Sequence, residues 1–224
     1  DSAHRARNRC GRLIRHDDPA GSVINEQYDL TGEANSQSRR FCQAPEALDW
    51  PEPQAWRDRQ LEARHYLTAW HRNALGELLG LRDARGNRQR LEYNVAGEQV
   101  RVGLLTAGGK SKLLVDELVY NAAGQVTSER AGNGVVTRAT YADDDGSLRR
   151  LQASRGGAQG GILQDLTYTY DRVGNVTRIR DNAQPVQWSF NAQVDPVSTF
   201  AYDTLYQLTY ATGRENANNS PSPA

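Results

Sequence analysis

The stretch YTYDRVGNVTRIRD, residues 168–181, alternates side-chain character, breaks for four residues and then alternates again. Before the break, Tyr168 and Tyr170 share one face of a period-two pattern, which together with their β-preference indicates a strand. Asp171 and Gly174 lie three apart, as a type I turn favours, because Asp hydrogen-bonds its own backbone and Gly follows at the fourth position. The stretch therefore predicts a strand, a tight turn and a second strand.

The same unit recurs along the chain as Tyr, Asp or Asn, two variable residues and Gly. The residues that carry this motif, which we call the repeat positions, are Tyr28, Asp29, Gly32, Tyr93, Asn94, Gly97, Tyr120, Asn121, Gly124, Tyr170, Asp171 and Gly174. Further Asx-x-x-Gly units without the tyrosine begin at Asn8, Asp18, Asn73, Asp83 and Asp143. A variant that begins at Tyr202 has Tyr206 in place of the glycine.

The spacing of the turn glycines predicts the fold class. Gly76, Gly86 and Gly97 are separated by 10 and 11 residues, and the other turn glycines follow a similar interval. Such an interval accommodates a turn and a strand of about six to eight residues. Regular turn signals favour an all-β assembly, in which each repeat buries its apolar face only against its neighbours. We predict successive hairpins that form a curved, open β-sheet layer, with one short helix.

Composition argues against several classes of function. The 224 residues carry 27 basic and 27 acidic side chains, and this zero net charge argues against a nucleic-acid groove or an anionic-membrane surface. Hydrophobic content of 38% and a mean hydropathy of −0.75 suit a thin wall with two wet faces. No apolar run approaches the roughly 20 residues of a membrane helix. Cys10 and Cys42 are expected to be free thiols.

One region, residues 45–65, breaks the rhythm of the repeats. It has no Asx-x-x-Gly motif, and the helix-forming residues that follow its prolines predict a short helix over Gln54–Arg64. We expect Trp50, Trp56 and Leu61 to pack this helix onto the sheet rather than to stack on a ligand.

Residues 103–111, GLLTAGGKS, end like a phosphate-binding loop. That motif requires a glycine five residues before its last glycine, and Leu104 occupies the place. The residues that follow lead into the next Tyr-Asn turn rather than into a helix. We therefore predict a hairpin loop and no bound nucleotide.

Two carboxylate clusters, RHDDPAG (residues 15–21) and ADDDG (residues 142–146), resemble metal or acid–base sites. Each lies at a repeat turn, where Asp has a structural role, and neither has the spacing of a calcium loop. The histidines show no metal-ligand motif, and His65 and His71 would share a face only within one strand. We predict no catalytic residue, no cofactor and no metal site.

Together these motifs resemble the YD repeats of the Rhs family and, more narrowly, the C component of bacterial insecticidal toxin complexes, the Tc toxins. The segments that carry the narrower resemblance include DARGNRQRLEYNVAGEQ, LVYNAAGQ, LQDLTYTYDRVGNVTRIRD and YDTLYQLTYATGRE. RHDDPAG and LTGEANSQSRR resemble an earlier part of that component. The resemblance covers Asn8–Glu215.

In that family the repeats of the B and C components form a hollow β shell around a variable C-terminal toxin, which a self-cleaving domain releases inside. The resemblance implies a non-enzymatic shell segment whose partners are the B component, the rest of the C component and the enclosed toxin. It also implies secretion with the complex, although the sequence has no recognisable signal peptide. No catalytic residue carries over, because the self-cleaving segment and the toxin have no counterpart here. The repeat positions would act as strand-end aromatics and turn formers.

Two other functions stay open at this point. A YD-repeat surface module can bind carbohydrate or a receptor through exposed Tyr and Trp, and a contact-dependent Rhs toxin uses a shell of the same kind. We expect residues 1–215 to form one repeat segment with a helical insertion over 45–65, and residues 216–224 to form a disordered polar tail. Unpaired strand edges template further strands, so self-association through edges is also expected.

Overall fold

Alternating segments bounded by Asx-Gly turns form strands throughout the structure. A computed structural model describes residues 2–44, 46, 49–156, 160–189 and 191–214. The chain divides after Leu113 into two units.

The first unit contains two short helices and seven strands. In chain order its elements are α1 (Ser2–Ala6), β1 (Arg15–Asp18), β2 (Gly21–Tyr28), β3 (Ala34–Phe41), α2 (Gln54–Arg59), β4 (Tyr66–Arg72), β5 (Leu78–Arg82), β6 (Arg88–Tyr93) and β7 (Gln99–Leu105). Each strand pairs antiparallel with the next one in sequence, from β1 to β7. Every connection therefore joins neighbouring strands, including the long one that carries α2.

The second unit continues the same pattern from β8, the strand within which the boundary falls. Its strands are β8 (Ser111–Tyr120), β9 (Val126–Ala131), β10 (Val135–Tyr141), β11 (Leu148–Arg155), β12 (Ile162–Tyr170), β13 (Val176–Asp181), β14 (Gln187–Ser189), β15 (Ala192–Val194), β16 (Val197–Tyr202) and β17 (Leu208–Ala211). β13 pairs with β16, and β14 and β15 form a separate hairpin in the connection between them.

In each unit the strands of the main sheet pair in the order of the sequence, and among the described strands β14 and β15 lie outside that order. Antiparallel neighbours need only short local turns, so the regular turn signals are sufficient to specify this order. The prediction of an all-β fold built from successive hairpins is confirmed.

Side chains alternate between the two faces of each strand, and the faces of the first unit differ in polarity. Leu81, Leu91 and Val102 share one face of β5–β7, whereas Arg88 and Arg90 lie on the other. Few apolar side chains are buried. Within the described residues they are Tyr28, Cys42, Leu61 and Val194. The sheet is therefore a thin layer with half-exposed faces.

The helical region differs in part from the sequence prediction. α2 ends at Arg59 rather than at Arg64, because Leu61 instead forms a β-bridge with Cys42. Leu61 is buried as expected, but Trp56 is 60% exposed and does not pack the helix onto the sheet. Leu61 lies outside α2, within which no residue is buried, and the short helix α1 was not predicted.

Both cysteines are free, as expected. Among the described residues, no helix has the length and apolar character needed to cross a membrane. The predicted tail, residues 216–224, lies outside the described residues.

Candidate functional site

The turn at residues 171–175 shows why the motif needs both Asp and Gly. The Asp171 amide donates to the Asn175 carbonyl (3.0 Å), and the Gly174 amide donates to the Asp171 carbonyl (3.3 Å). One Asp171 carboxylate oxygen accepts hydrogen bonds from the amides of Val173 (3.0 Å) and Asn175 (2.8 Å). Gly174 has a φ of +93°, a left-handed conformation that a side chain strains. The result is a three-residue hairpin loop that ends in a left-handed glycine.

The other repeat positions form loops of the same kind. Their glycines also have positive φ, with 102° at Gly32, 80° at Gly97 and 75° at Gly124. The side chains that accept from two turn amides each are those of Asp29, Asn94 and Asn121. These positions therefore have the geometry of turn formers. Their part in a shell remains a prediction.

The tyrosine that precedes a turn forms a hydrogen bond with the residue after an earlier turn at the same end of the sheet. The Tyr93 hydroxyl donates to the Leu78 carbonyl (3.0 Å), which directly follows the turn two hairpins earlier. The equivalent pairs are Tyr28 with Leu13, Tyr141 with Val126 (3.0 Å), Tyr170 with Leu148 (2.7 Å) and Tyr202 with Val176 (2.9 Å). We call the end of each unit that bears these residues the tyrosine end. Sequence reasoning placed these aromatics at strand ends but missed this hydroxyl contact.

Adjacent turns also touch directly through their polar side chains. Gln125 Nε2 donates to the Gly146 carbonyl (2.9 Å), and Arg12 Nη1 donates to the Gly32 carbonyl (3.0 Å). Within each unit the tyrosine end is therefore a linked row of turns rather than a set of separate loops.

Four motifs depart from this pattern, and three of them correct the sequence analysis. Asp18 and Gly21 pair directly across a two-residue loop instead of a three-residue one. Asn8 follows helix α1 instead of a strand, has a φ of +52°, and donates through its side chain to the Tyr28 carbonyl (3.1 Å). The loop over residues 142–147 is one residue longer than predicted, because Gly146 donates to Ala142 (3.0 Å) rather than to Asp143. Tyr206 occupies its glycine position with a φ of +62°, which strains a non-glycine residue.

A buried ionic cluster forms where α2 lies against β1 and β2. Asp17 accepts hydrogen bonds from Arg15 Nε (2.7 Å), Arg57 Nη1 (2.7 Å) and the Ser22 hydroxyl. Arg15 Nη1 also donates to Asp58 (2.6 Å). The side chains of Arg15 and Asp17 are only 12% and 9% exposed, and Ser22 is fully buried. These five residues, the ionic cluster, hold the helix onto the sheet.

The surroundings of the ionic cluster stabilise the charged forms of Asp17 and Arg15. Burial disfavours the Asp17 carboxylate, but hydrogen bonds from Ser22 and Arg15 outweigh it and lower the pKa of Asp17 below its ordinary 3.8. Burial likewise disfavours the Arg15 charge, but Asp17 and Asp58 outweigh it and raise the pKa of Arg15. A general acid or base needs a pKa near the working pH. The ionic cluster therefore acts as a structural clamp.

The ionic cluster corrects the interpretation of RHDDPAG. Turn chemistry does account for Asp18, which accepts from the Ala20 amide (2.8 Å) and pairs with both terminal nitrogens of Arg39 (2.7 and 2.9 Å). Asp17 does not serve the turn, because strand alternation places it on the opposite face, against α2. Its helical partner Arg57 is forty positions away. Spacing along the sequence gives no signal for such a contact.

A second buried carboxylate lies in the second unit. Arg150 donates two hydrogen bonds of 2.6 Å to Asp165, whose side chain is 7% exposed. The Asp165 amide donates to Asp181 (3.0 Å), and the Asn182 amide donates to the Asp165 carbonyl (2.7 Å). The ion pair with Arg150 lowers the pKa of Asp165. This arrangement fixes the start of the β13–β16 connection.

The loop that resembles a phosphate-binding motif is a hairpin. Its ends pair through Thr106 and Lys110 (2.9 Å), and the Gly109 amide donates to the Thr106 carbonyl (2.9 Å). A strand, β8, follows it instead of the helix that phosphate binding uses. The predicted hairpin is confirmed, and the absence of nucleotide binding remains a prediction.

The histidines do not converge on a common site. His65 precedes β4 and its Nδ1 lies 3.0 Å from the Ser38 hydroxyl, whereas His71 lies inside β4. Across the part of the chain that the structure describes, His, Cys, Asp and Glu side chains form no group of three suited to a metal ion.

No family model matches the chain. Two curated proteins of Yersinia entomophaga do match it, with 39% identity to toxin subunit YenC1 and 36% identity to toxin subunit YenC2. The alignments cover 97% and 96% of this chain but only 23% and 24% of those subunits. The chain thus spans about a quarter of the length of these relatives.

Solved Tc toxin structures share the fold. Crystal structures of TcdB2-TccC3 superpose with TM-scores of 0.84 and, in the form without the hypervariable C-terminal region, 0.85, at 36% identity. They cover 95% and 99% of this chain and 10% of theirs. The Photorhabdus luminescens Tc holotoxin pore superposes with a TM-score of 0.80. The resemblance to the C component of bacterial toxin complexes is therefore confirmed for a segment of that component.

Proposed function

We propose that the chain is a wall segment of a secreted bacterial toxin complex and helps to enclose a toxin polypeptide for delivery. The linked row of turns within each unit carries this proposal, because it joins the successive hairpins of a thin sheet that has little buried core to hold them together. The fold shared with TcdB2-TccC3 structures supports it. Under this proposal residues 1–215 act as one shell segment, and the repeat positions build it.

The proposed role is structural rather than enzymatic. The carboxylates of Asp17 and Asp165 are only 9% and 7% exposed, and hydrogen bonds from Ser22 and Arg15 to Asp17 and from Arg150 to Asp165 lower their pKa values. Such groups stay ionised at neutral pH and do not exchange protons there. Purified protein is expected to show no nucleotide hydrolysis, protease activity or ADP-ribosyl transfer, and Lys110→Ala is expected to change no assay.

The proposed partners are the B component, the remainder of the C component and the enclosed toxin, in an extracellular complex. A solved relative is the crystal structure of TcdB2-TccC3, and this supports partners of this kind. Self-association through unpaired strand edges, which can pair with a strand of another chain, is also part of the proposal.

Exchange of the matching segment of YenC1 for this chain tests the proposal. The chimera is expected to assemble and to protect its C-terminal region from added protease as the parent subunit does. A second chimera that also carries Gly97→Val and Gly124→Val tests whether protection depends on an intact wall. We expect added protease to digest its C-terminal region. An assembled first chimera whose C-terminal region is digested at the rate of free polypeptide would contradict the enclosing role.

One observation favours a second function, carbohydrate binding. Trp188 on the β14–β15 hairpin is 70% exposed and lies directly opposite Gln193. An exposed indole beside an amide offers a stacking surface and a hydrogen-bonding group. Glycan binding by the purified chain that Trp188→Ala abolishes would favour this module over the wall.

A further inference from the structure

The exposed face of β5 and β6 places two like charges directly opposite each other. Arg82 and Arg88 are cross-strand partners, and both side chains are exposed. Within the described residues, neither has a carboxylate at ion-pair distance. Like charges in this position destabilise a sheet. The pair is therefore an unfavourable feature of the isolated fold that a bound anion would relieve.

The neighbouring arginine is flanked by glycine on both sides. Arg90 pairs with Gly80 of β5 and with Gly103 of β7, and its side chain is 81% exposed. A Cβ at Gly103 would meet no atom within 4 Å, and Gly103 is not among the glycines with positive φ. Glycine weakens a strand by roughly 0.5–1 kcal/mol. The fold does not require Gly103, but its missing side chain leaves open space beside Arg90.

This open space is a cleft of about 350 Å³ on the arginine face. Its lining includes Arg88, Arg90, Arg101 and Leu105, with Glu92 as the one acidic residue. Glu92 lies 3.5 Å from Arg90 and 3.7 Å from Arg101, and exposed pairs at such distances contribute little. The balance of charge in the cleft is positive although the chain as a whole is neutral.

We propose that this cleft, which we call the arginine cleft, binds an extended acidic segment of a separate polypeptide. Arg88 and Arg90 are two residues apart on one strand, about 6.7 Å, which is also the spacing of alternate side chains in an extended peptide. Guanidinium groups pair with carboxylates through two parallel hydrogen bonds. Glu92, which lies two residues beyond Arg90 on the same face of β6, disfavours a continuous run of phosphates, so a peptide fits better than a nucleic acid.

Fluorescence anisotropy with a labelled peptide in which Glu alternates with Ser tests the arginine cleft. The full chain is expected to bind this peptide, with an affinity that falls as the salt concentration increases. It is expected not to bind a peptide in which Lys replaces Glu. Replacing two arginines, Arg88→Gln with Arg90→Gln, is expected to raise Kd at least about tenfold. The matched control, Arg138→Gln with Arg178→Gln, removes two exposed arginines whose cross-strand partners are uncharged, and we expect it to bind like the parent chain.

A further variant separates binding from folding. Gly103→Val fills the open space with a residue that favours strands, so it is expected to weaken binding while thermal stability is kept or raised. Equal losses in the control pair, unchanged binding by Gly103→Val, no binding by the parent chain, or tighter binding of a single-stranded oligonucleotide would each overturn the proposal.

Discussion

Two regions of the molecule order a connection between strands in opposite ways. The loop at 171–175 is held by hydrogen bonds among five consecutive residues, and its first four residues remain exposed. The connection over residues 49–62, which contains α2, is held by contacts with residues far away in sequence, chiefly the ionic cluster. The first is specified locally and repeated along the chain, whereas the second occurs once and depends on the tertiary fold.

The difference follows from how little apolar surface the thin sheet can offer. A helix that covers such a sheet normally docks through an apolar stripe, yet within α2 itself no residue is buried. Buried charges, which need partners, replace that stripe. A buried ion pair is weak evidence for stability as a whole, but the loss of one partner is costly because it leaves the other charge buried. The α2 connection should therefore be more sensitive to single substitutions than the turns.

The largest effect is expected for Asp17→Ala, which removes the carboxylate shared by Arg15 and Arg57 and leaves only Asp58 to balance the buried Arg15 charge. We expect a loss of about 3–5 kcal/mol in the stability of the first unit, measured by urea unfolding, and early proteolysis within residues 49–62. The matched control is Glu117→Ala, which breaks an exposed pair with Arg130 (3.0 Å) and should cost less than about 1 kcal/mol. Similar losses for both variants would show that the ionic cluster is not the clamp.

The next effect is expected for the turn glycines. Gly174→Val should cost about 1–3 kcal/mol, entirely through backbone strain, because a Cβ there would meet no atom within 4 Å. Gly97→Val should cost little more, since the atom nearest to its Cβ, Glu77 Oε1 at 2.9 Å, is the end of a flexible side chain that can move aside. Thermal unfolding of both variants and of Gly124→Val measures the difference. No loss in any of the three would refute the turn model.

These two regions also show what the sequence can predict. The loops were predictable because Asp171 and Gly174 act within five residues, so that their spacing alone carries the signal. Strand order followed as well, because each short turn allows only antiparallel neighbours. The tyrosine contacts were not predictable, since Tyr93 and Leu78 lie in different hairpins and any apolar residue at position 93 would preserve the strand pattern.

The ionic cluster was missed for a different reason. Asp17 and Asp18 are adjacent in sequence and identical in type, but strand alternation places Asp18 in the turn and Asp17 beneath α2. The helix boundary was missed because the backbone at Leu61 has a competing β-bridge partner in Cys42. Helix propensity carries no information about a partner of that kind.

A smaller effect of opposite sign is expected at the one repeat turn without glycine. Tyr206 has the same loop hydrogen bonds to Asp203 as the glycine turns but a φ of +62°, and it is 61% exposed. A left-handed side chain costs roughly 1–2 kcal/mol, so Tyr206→Gly should stabilise the second unit by about 0.5–1 kcal/mol after the added freedom of the unfolded chain is counted. Urea unfolding checks this. A destabilised variant would mean that the tyrosine ring makes a contact worth more than the strain.

The smallest effect concerns turns that differ only in having Asp or Asn at their first position. Burial disfavours the Asp171 carboxylate, but hydrogen bonds from Asn175 outweigh it and lower its pKa below 3.8. Because the folded pKa is the lower one, the turn gains stability above the unfolded pKa and loses it as pH falls through the folded pKa. Asn121 holds the amides of Ala123 and Gln125 at 3.0 Å without titrating.

Hydrogen exchange, corrected for the intrinsic effect of pH, should therefore show loss of protection at the Asn175 amide below about pH 4. The Gln125 amide, its counterpart in the Asn turn, should keep its protection over the same range. Asp171→Asn should make Asn175 behave like Gln125, since the substitution keeps the accepting oxygen and removes the titration. If Asn175 lost protection equally in parent and variant, acid would be acting through the fold as a whole, and the turns would not be the locally specified elements that distinguish them from the α2 connection.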